Sequence, residues 1–381
     1  MEIRCKLEIK KSSTKQSQSG GDNSNQLQAG TMNIINMGID EKRVREIVDE
    51  KQVQIIKTCV QESARVANDN IAAFRDDFLN RAQRSPNSLG LFSIPSYANL
   101  LGEAARAAAY SERSSDIEVL SELLLRRLEN KNNQTIKIGV TQAITILDSI
   151  TDDALLAVTV LFSIETFHPV STSMFDGLKI LDDMFSHMPL EDLPSGYDWL
   201  DCLDVLGACR VNSLQTLKPL KDYYFEIFNR IYPLGIKTGT EKESKAREIL
   251  RKAGLENSLC RLNEFDNDYV RLDFPHNTNQ EDLFINRKTN DGKLIQRIRI
   301  SDEQANAFNA VITELYESGD ENSNERKIAF SEKFDEYPHL STIEHWWQGI
   351  PNSARITSVG EAIAYANARR MVPGLPEMNL K

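Results

Sequence analysis

The chain has 381 residues, 45 basic and 56 acidic, giving a net charge of −11 with 40% hydrophobic content. That length gives room for about two to three domains and a full core, and the acidic balance argues against a globally basic nucleic-acid binder. The longest nearly apolar stretch, Ala154 to Ile164, is shorter than the roughly 20 residues of a membrane-spanning helix, and the N-terminus lacks a signal-peptide core.

In chain order, Ile3, Cys5, Leu7 and Ile9 alternate with charged residues, the period of a short half-buried strand. Ser12 to Asn25 is polar with a Gly-Gly pair, the composition of a linker. Leu27, Met32, Ile34, Ile35 and Met37 then sit in two short runs broken by Gly30 and closed by Gly38. This is strand-turn-strand chemistry, too small to bury its own apolar face. Identical Asn- and Gln-containing strands can stack in ladders, so residues 26–38 are expected to mediate self-association, continued by Val44 and Val48.

A long helix is predicted over 40–84, with Asp40 as N-cap. Val44, Val48, Ile55, Cys59, Val66, Phe74 and Phe78 fall at helical spacings, while Gln52, Ser63 and Asn70 interrupt a strict heptad. A coiled-coil seam and the spine of a helical bundle both remain open. Over 85–233 the pattern predicts helices at 96–110, 115–130, 135–150, 152–167, 172–187, 197–209 and 215–231. Asp116, Thr151 and Ser213 are the expected N-caps, and Pro169 and Pro189 the breakers. No signature recurs at fixed offsets, which favours an irregular bundle over a solenoid. Ala154 to Phe167 is apolar nearly all round, so this helix is either central or covered by a partner, and a groove or exposed apolar patch is expected on the 96–187 helices.

Residues 234–371 read as a small α+β unit, and 372–381 as a tail. Its elements are a helix at 240–260, strands at 269–274, 283–287 and 293–298, and helices at 301–317, 323–335, 341–347 and 358–370. Asn290-Asp291-Gly292 is a hairpin signal, and Ser301 with Gln304 forms a capping box. The fold class is therefore mainly α: a short N-terminal β segment (1–39), a long helix, an irregular helical bundle and a small α+β C-terminal unit.

Three stretches together resemble a family of uncharacterised bacterial proteins. They are Gly21-Asp22-Asn23-Ser24 through Gln28-Ala29-Gly30, followed by Gly38 and the charged start of the long helix; Ile94-Pro95-Ser96-Tyr97 with Glu103-Ala104-Ala105-Arg106; and Ile356-Thr357-Ser358-Val359-Gly360 through Ala366-Asn367. The resemblance implies a portable N-terminal module, a bacterial cytosolic setting and a link to phage defence. It carries over no catalytic residue, and where the family has a Cys-Gly-Ser-like step this chain has Cys209-Arg210-Val211.

Chemistry-bearing patterns are sparse. The five histidines are far apart, no Cys-x-x-Cys occurs, and the five cysteines are scattered as in a reduced cytosolic protein. Cys202 and Cys209, two turns apart in the predicted 197–209 helix, read as core, and Asp198, Asp201 and Asp204 as a solvated face. Arg271-x4-His276 has nuclease-like spacing on a strand pattern, and Glu325-Arg326-Lys327 lies in a helical pattern; both read as structural. Leu234 to Thr240 lacks the glycine spacing of a phosphate loop. No catalytic residue, metal or cofactor is expected. Arg287, Lys288, Lys293, Arg297 and Arg299 surround the Asn-Asp-Gly hairpin and could contact nucleic acid, though acidic neighbours dilute them. His345-Trp346-Trp347 reads as a core seal. The expectation is a non-enzymatic cytoplasmic homo-oligomer that binds another protein and no membrane; the alternative is a nucleic-acid-binding protein using the basic hairpin.

Overall fold

A computed structural model describes residues 41–83, 95–130, 133–169, 171, 173–274, 283–288, 294–317 and 323–375. The chain divides into two compact units, Met1–Gln61 and Glu62–Lys381. The described part of the first unit is the opening half of α1 (Glu41–Ala82), a helix of 42 residues with no internal Pro or Gly. Lys51, Gln52, Gln54 and every residue from Lys57 to Val66 are exposed. The expected strand at 3–9, the N-cap Asp40 and the proposed contact residues Leu27, Met32, Ile34, Ile35 and Met37 lie outside the described residues. Val44 and Val48 lie on α1.

In the second unit, Phe74, Phe78 and Ala82 share one face of α1 and are buried, with the two rings stacked at 6.1 Å. The body contains α2 (Pro95–Tyr110), α3 (Ser114–Glu129), α4 (Gln134–Ile146), α5 (Asp152–Thr166), α6 (Met174–Phe185), α7 (Asp198–Val205) and α8 (Leu220–Ile231). Thr151 caps α5 as expected, accepting from the Ala154 amide. Asp116 is not a cap: it sits inside the first turn of α3, buried against the Ser111 hydroxyl and the Arg113 guanidinium. Ser213 caps nothing either, because α8 starts after Pro219. The predicted 197–209 helix ends at Val205, and Cys209 instead opens β1 (Cys209–Asn212).

That strand pairs antiparallel with β7 (Ser353–Ile356), Cys209 opposite Ile356, which delivers α13 (Ser358–Met371) into the centre of the body. Thr357 caps α13 through Gly360 N–H and donates its hydroxyl to Gly207 O at 2.7 Å. A Cβ on Gly360 would lie 2.1 Å from Ala208 O, and one on Gly139 of α4 would lie 2.5 Å from Ser358 O. Both positions therefore need glycine for close approach. The Ile-Thr-x-x-Gly run is thus the seating of a central helix, which packs against α3, α4 and α5.

A second core forms around the sheet β2 (Ile236–Lys237), β4 (Tyr269–Leu272) and β3 (Leu259–Leu262), covered by α9 (Glu241–Lys252) and α10 (Asp302–Leu315). The Ser301/Gln304 capping box is present. β5 (Phe284–Lys288) and β6 (Leu294–Arg299) pair antiparallel, and the expected Asn290-Asp291-Gly292 turn between them lies outside the described residues. α11 (Ser323–Asp335), α12 (Pro338–Gln348) and α13 share the core of the helical body, because Phe330, Phe334, Ile343, Trp347 and Ile363 pack there. Among the described residues no helix is long and apolar enough to cross a membrane.

Candidate functional site

The helix expected to be central or partner-covered is central. Leu155, Val158, Leu161 and Phe162 of α5 are all buried within the chain, so a partner seated on that helix face is ruled out. A separate apolar pocket opens where α5 ends. Phe167 N–H still reaches Ser163 O at 3.1 Å, and Pro169 then stops the helix. α6 runs past this corner, and the segment after α13, Val372 to Leu375, closes the third side.

The result is a cavity of about 490 Å³. Phe167, Pro169, Leu181, Met184 and Val372 form its buried apolar lining, and Ile180, 45% exposed, stands at its edge. Phe167 is held edge-on by Phe162 at 5.7 Å, and Phe162 meets Tyr365 of α13 at 6.3 Å, so the wall is tied to the central helix. Polar groups gather at the rim. His187 Nδ1 lies 2.8 Å from Asp183 O, and Asp183 pairs with Lys179 at 2.8 Å. The surroundings of His168 shed water and push its imidazole pKa down, an effect that the hydrogen bond with the Thr166 backbone partly offsets. The site is an apolar slot with the imidazoles of His168 and His187 at its mouth. It suits capture of an apolar group.

A second cavity, of about 630 Å³, is polar and lined by Glu112, Arg113, Asp148 and Asp152. Arg113 ties α3 to the end of α4 there: its guanidinium donates to the carbonyls of Leu147 and Ile150, each at 2.5 Å, and pairs with Asp116 and Asp152. Its chemistry is that of a clamp.

Other sequence candidates resolve structurally. Cys209 is buried and its thiol is pushed up to about 12 by burial; Cys202 is half-buried against the same core. Asp198 and Asp201 are exposed and Asp204 is half-buried. Arg271 lies buried on β4 and donates to Glu264 at 2.6 Å, with its guanidinium over the Tyr232 ring, while His276 lies outside the described residues. Arg326 is buried in α11 and donates to Asn229 at 2.5 Å. Trp347 is buried, and Trp346 packs on Trp199 at 5.7 Å, so the tandem tryptophans do seal a core. Among the described residues no group of three or more His, Cys, Asp or Glu is placed to hold a metal ion.

Of the basic hairpin positions, Arg287 and Lys288 lie on β5, Arg297 and Arg299 on β6, and Lys293 outside the described residues. Asn286 pairs with Arg297 and Phe284 with Arg299, and Arg299 is exposed. Sequence reasoning missed His168, Ile180, His187 and Leu375. The Phe-His-Pro step after α5 marks one wall, but nothing in the sequence joins it to residues 372–375, which are some two hundred positions away.

No curated protein and no solved structure matches the chain. A family model whose description reads ":-like" matches residues 38–381, and the chain belongs to that family.

Proposed function

We propose that this protein is a non-enzymatic interaction component that self-associates through residues 26–38 and the start of α1, and captures an apolar anchor of another protein in the cavity between α5, α6 and the 372–375 segment. The cavity carries this reading. Its volume of about 490 Å³ lies in the range of about 300–1,000 Å³ typical of small-ligand pockets and is ample for one or two large side chains. Its lining is apolar, and the Lys179–Asp183 pair and His187 supply a polar rim of the kind that surrounds buried anchors. The family match begins at residue 38 and leaves 1–37 outside, which agrees with a separable N-terminal segment. The resemblance noted in the sequence supports a bacterial cytosolic setting within a phage-defence system.

The test is a photo-crosslinking residue at Ile180 in the full-length chain, activated in cells that naturally carry it. A single discrete protein adduct, abolished by a bulky Leu181→Trp substitution in the cavity, is expected. No adduct, or one indifferent to the cavity substitution, contradicts the reading. A second reading, nucleic-acid binding, is favoured by the hairpin itself, whose second strand carries Arg297 and Arg299 at alternate positions, hence on one face. The same crosslinker at Arg299 would then yield a nuclease-sensitive adduct.

A further inference from the structure

We propose that the first half of α1 pairs with the same segment of a second copy, parallel and in register, along a stripe that repeats every eleven residues and sets Cys59 of the two copies face to face. The inference rests on the self-association reading and adds to it a surface, an orientation and a register.

The stripe is read from α1 itself. Val44, Val48 and Gln52 recur eleven positions later as Ile55, Cys59 and Ser63, and again as Val66, Asn70 and Phe74. Eleven residues at about 100° each make three turns plus roughly 20°, so these positions stay on one face of a nearly straight helix. An eleven-residue period gives about 3.67 residues per turn and a gentle right-handed wrap, which accounts for the broken heptad. The third repeat shows that this face packs: Phe74 is buried, and Asn70 donates to Ser111 O at 3.1 Å. In the repeats before it, Gln52, Cys59 and Ser63 are exposed. Helices draw most of their stability from packing one face, so an exposed extension of this length calls for a partner.

A second copy answers three features together. It carries the same repeat, so the stripes match layer for layer. It meets Gln52 with another Gln52, whose amide can both donate and accept, leaving no buried polar group unanswered. Finally, α1 begins at Glu41, three positions after the 26–38 segment assigned to self-association, so joining two copies there brings the same ends of their helices together. In that arrangement the two Cys59 α-carbons fall within the roughly 4.4–6.8 Å span of a disulfide.

The experiment uses the full-length chain under mild copper-phenanthroline oxidation, with the assembled mass measured on the same sample by sedimentation. A non-reducing gel should show a crosslinked dimer from the unaltered chain and from Cys260→Ser, none from Cys59→Ser, and at least a tenfold loss from Ile55→Glu. Lys57→Glu, on the opposite face, should leave it unchanged. An assembled sample without a Cys59-dependent crosslink overturns the helix pairing while self-association stands. A monomeric sample overturns both, and a crosslink that survives Cys59→Ser overturns the register.

Discussion

Asn367 of α13 donates from Nδ2 to the hydroxyl of Thr159 on α5 at 2.9 Å, and both side chains are wholly buried. The Thr159 hydroxyl donates onward to Leu155 O at 2.6 Å, and Arg370 Nε donates to Asn367 Oδ1 at 3.0 Å. This chain of bonds fixes the rotation of the central helix against the helix that begins the cavity wall. Replacing Asn367 with Leu should cost about 1–3 kcal/mol, since it strands Arg370 and the Thr159 acceptor. Urea unfolding of Asn367→Leu, Thr159→Val and the double variant checks this: the double should be less destabilised than the sum of the singles.

Two glycine-to-alanine substitutions should have opposite signs. At Gly360 the new methyl meets the Ala208 carbonyl, a backbone atom that shifts only at a cost, so Gly360→Ala should lower stability by about 1–3 kcal/mol. Gly102 lies inside α2 with nothing within 4 Å, so Gly102→Ala should raise stability by up to about 1 kcal/mol. Thermal melts of the two variants against the parent decide it.

Glu122 of α3 is buried between Arg369 at 2.9 Å and Arg81 at 3.6 Å, while Arg126 stacks over Tyr365 at 4.7 Å and donates to Glu361 O. Burial pushes the Glu122 carboxyl up, and Arg369 and Arg81 pull it partly back. A carboxyl whose folded pKa lies above its unfolded value carries a penalty that is full above the folded pKa and fades as pH falls through it towards the unfolded value of about 4.3. Arg369→Met should therefore cost about 1–3 kcal/mol at pH 7 and less near pH 4.5, Arg369 being about a quarter exposed. Glu122→Gln should remove that pH dependence. Unfolding midpoints between pH 4 and 7.5 provide the check.

Ile180→Glu places a charge at the cavity edge on a residue already 45% exposed. Stability should change by no more than about 0.5 kcal/mol, while capture of the partner protein is lost. Circular dichroism melts and quantitative binding of the crosslink-identified partner separate the two effects. A loss of fold would contradict the placement of Ile180 at the rim.

Most of the helices were legible in the sequence because their signals are local. Thr151, the Ser301/Gln304 box, and Pro169 after α5 each act within a turn. What stayed hidden depends on distant pairing. Cys209 to Asn212 carries only four residues of strand, and its partner Ser353–Ile356 lies far along the chain, so the stretch reads as the tail of a helix until the pairing is seen. The same applies to α11–α13, whose apolar faces complete the bundle although they follow the sheet in sequence. The cavity is hidden for the same reason, since its third wall comes from residues 372–375.

Self-association through the N-terminal region is tested most directly by sedimentation equilibrium of the full-length chain beside a chain that starts at Glu62. The shorter chain keeps the second compact unit, including the buried Phe74, Phe78 and Ala82 contact. The account predicts a defined multiple of 43.1 kDa for the full chain and a monomer for the shorter one. The same number of subunits in both would contradict it.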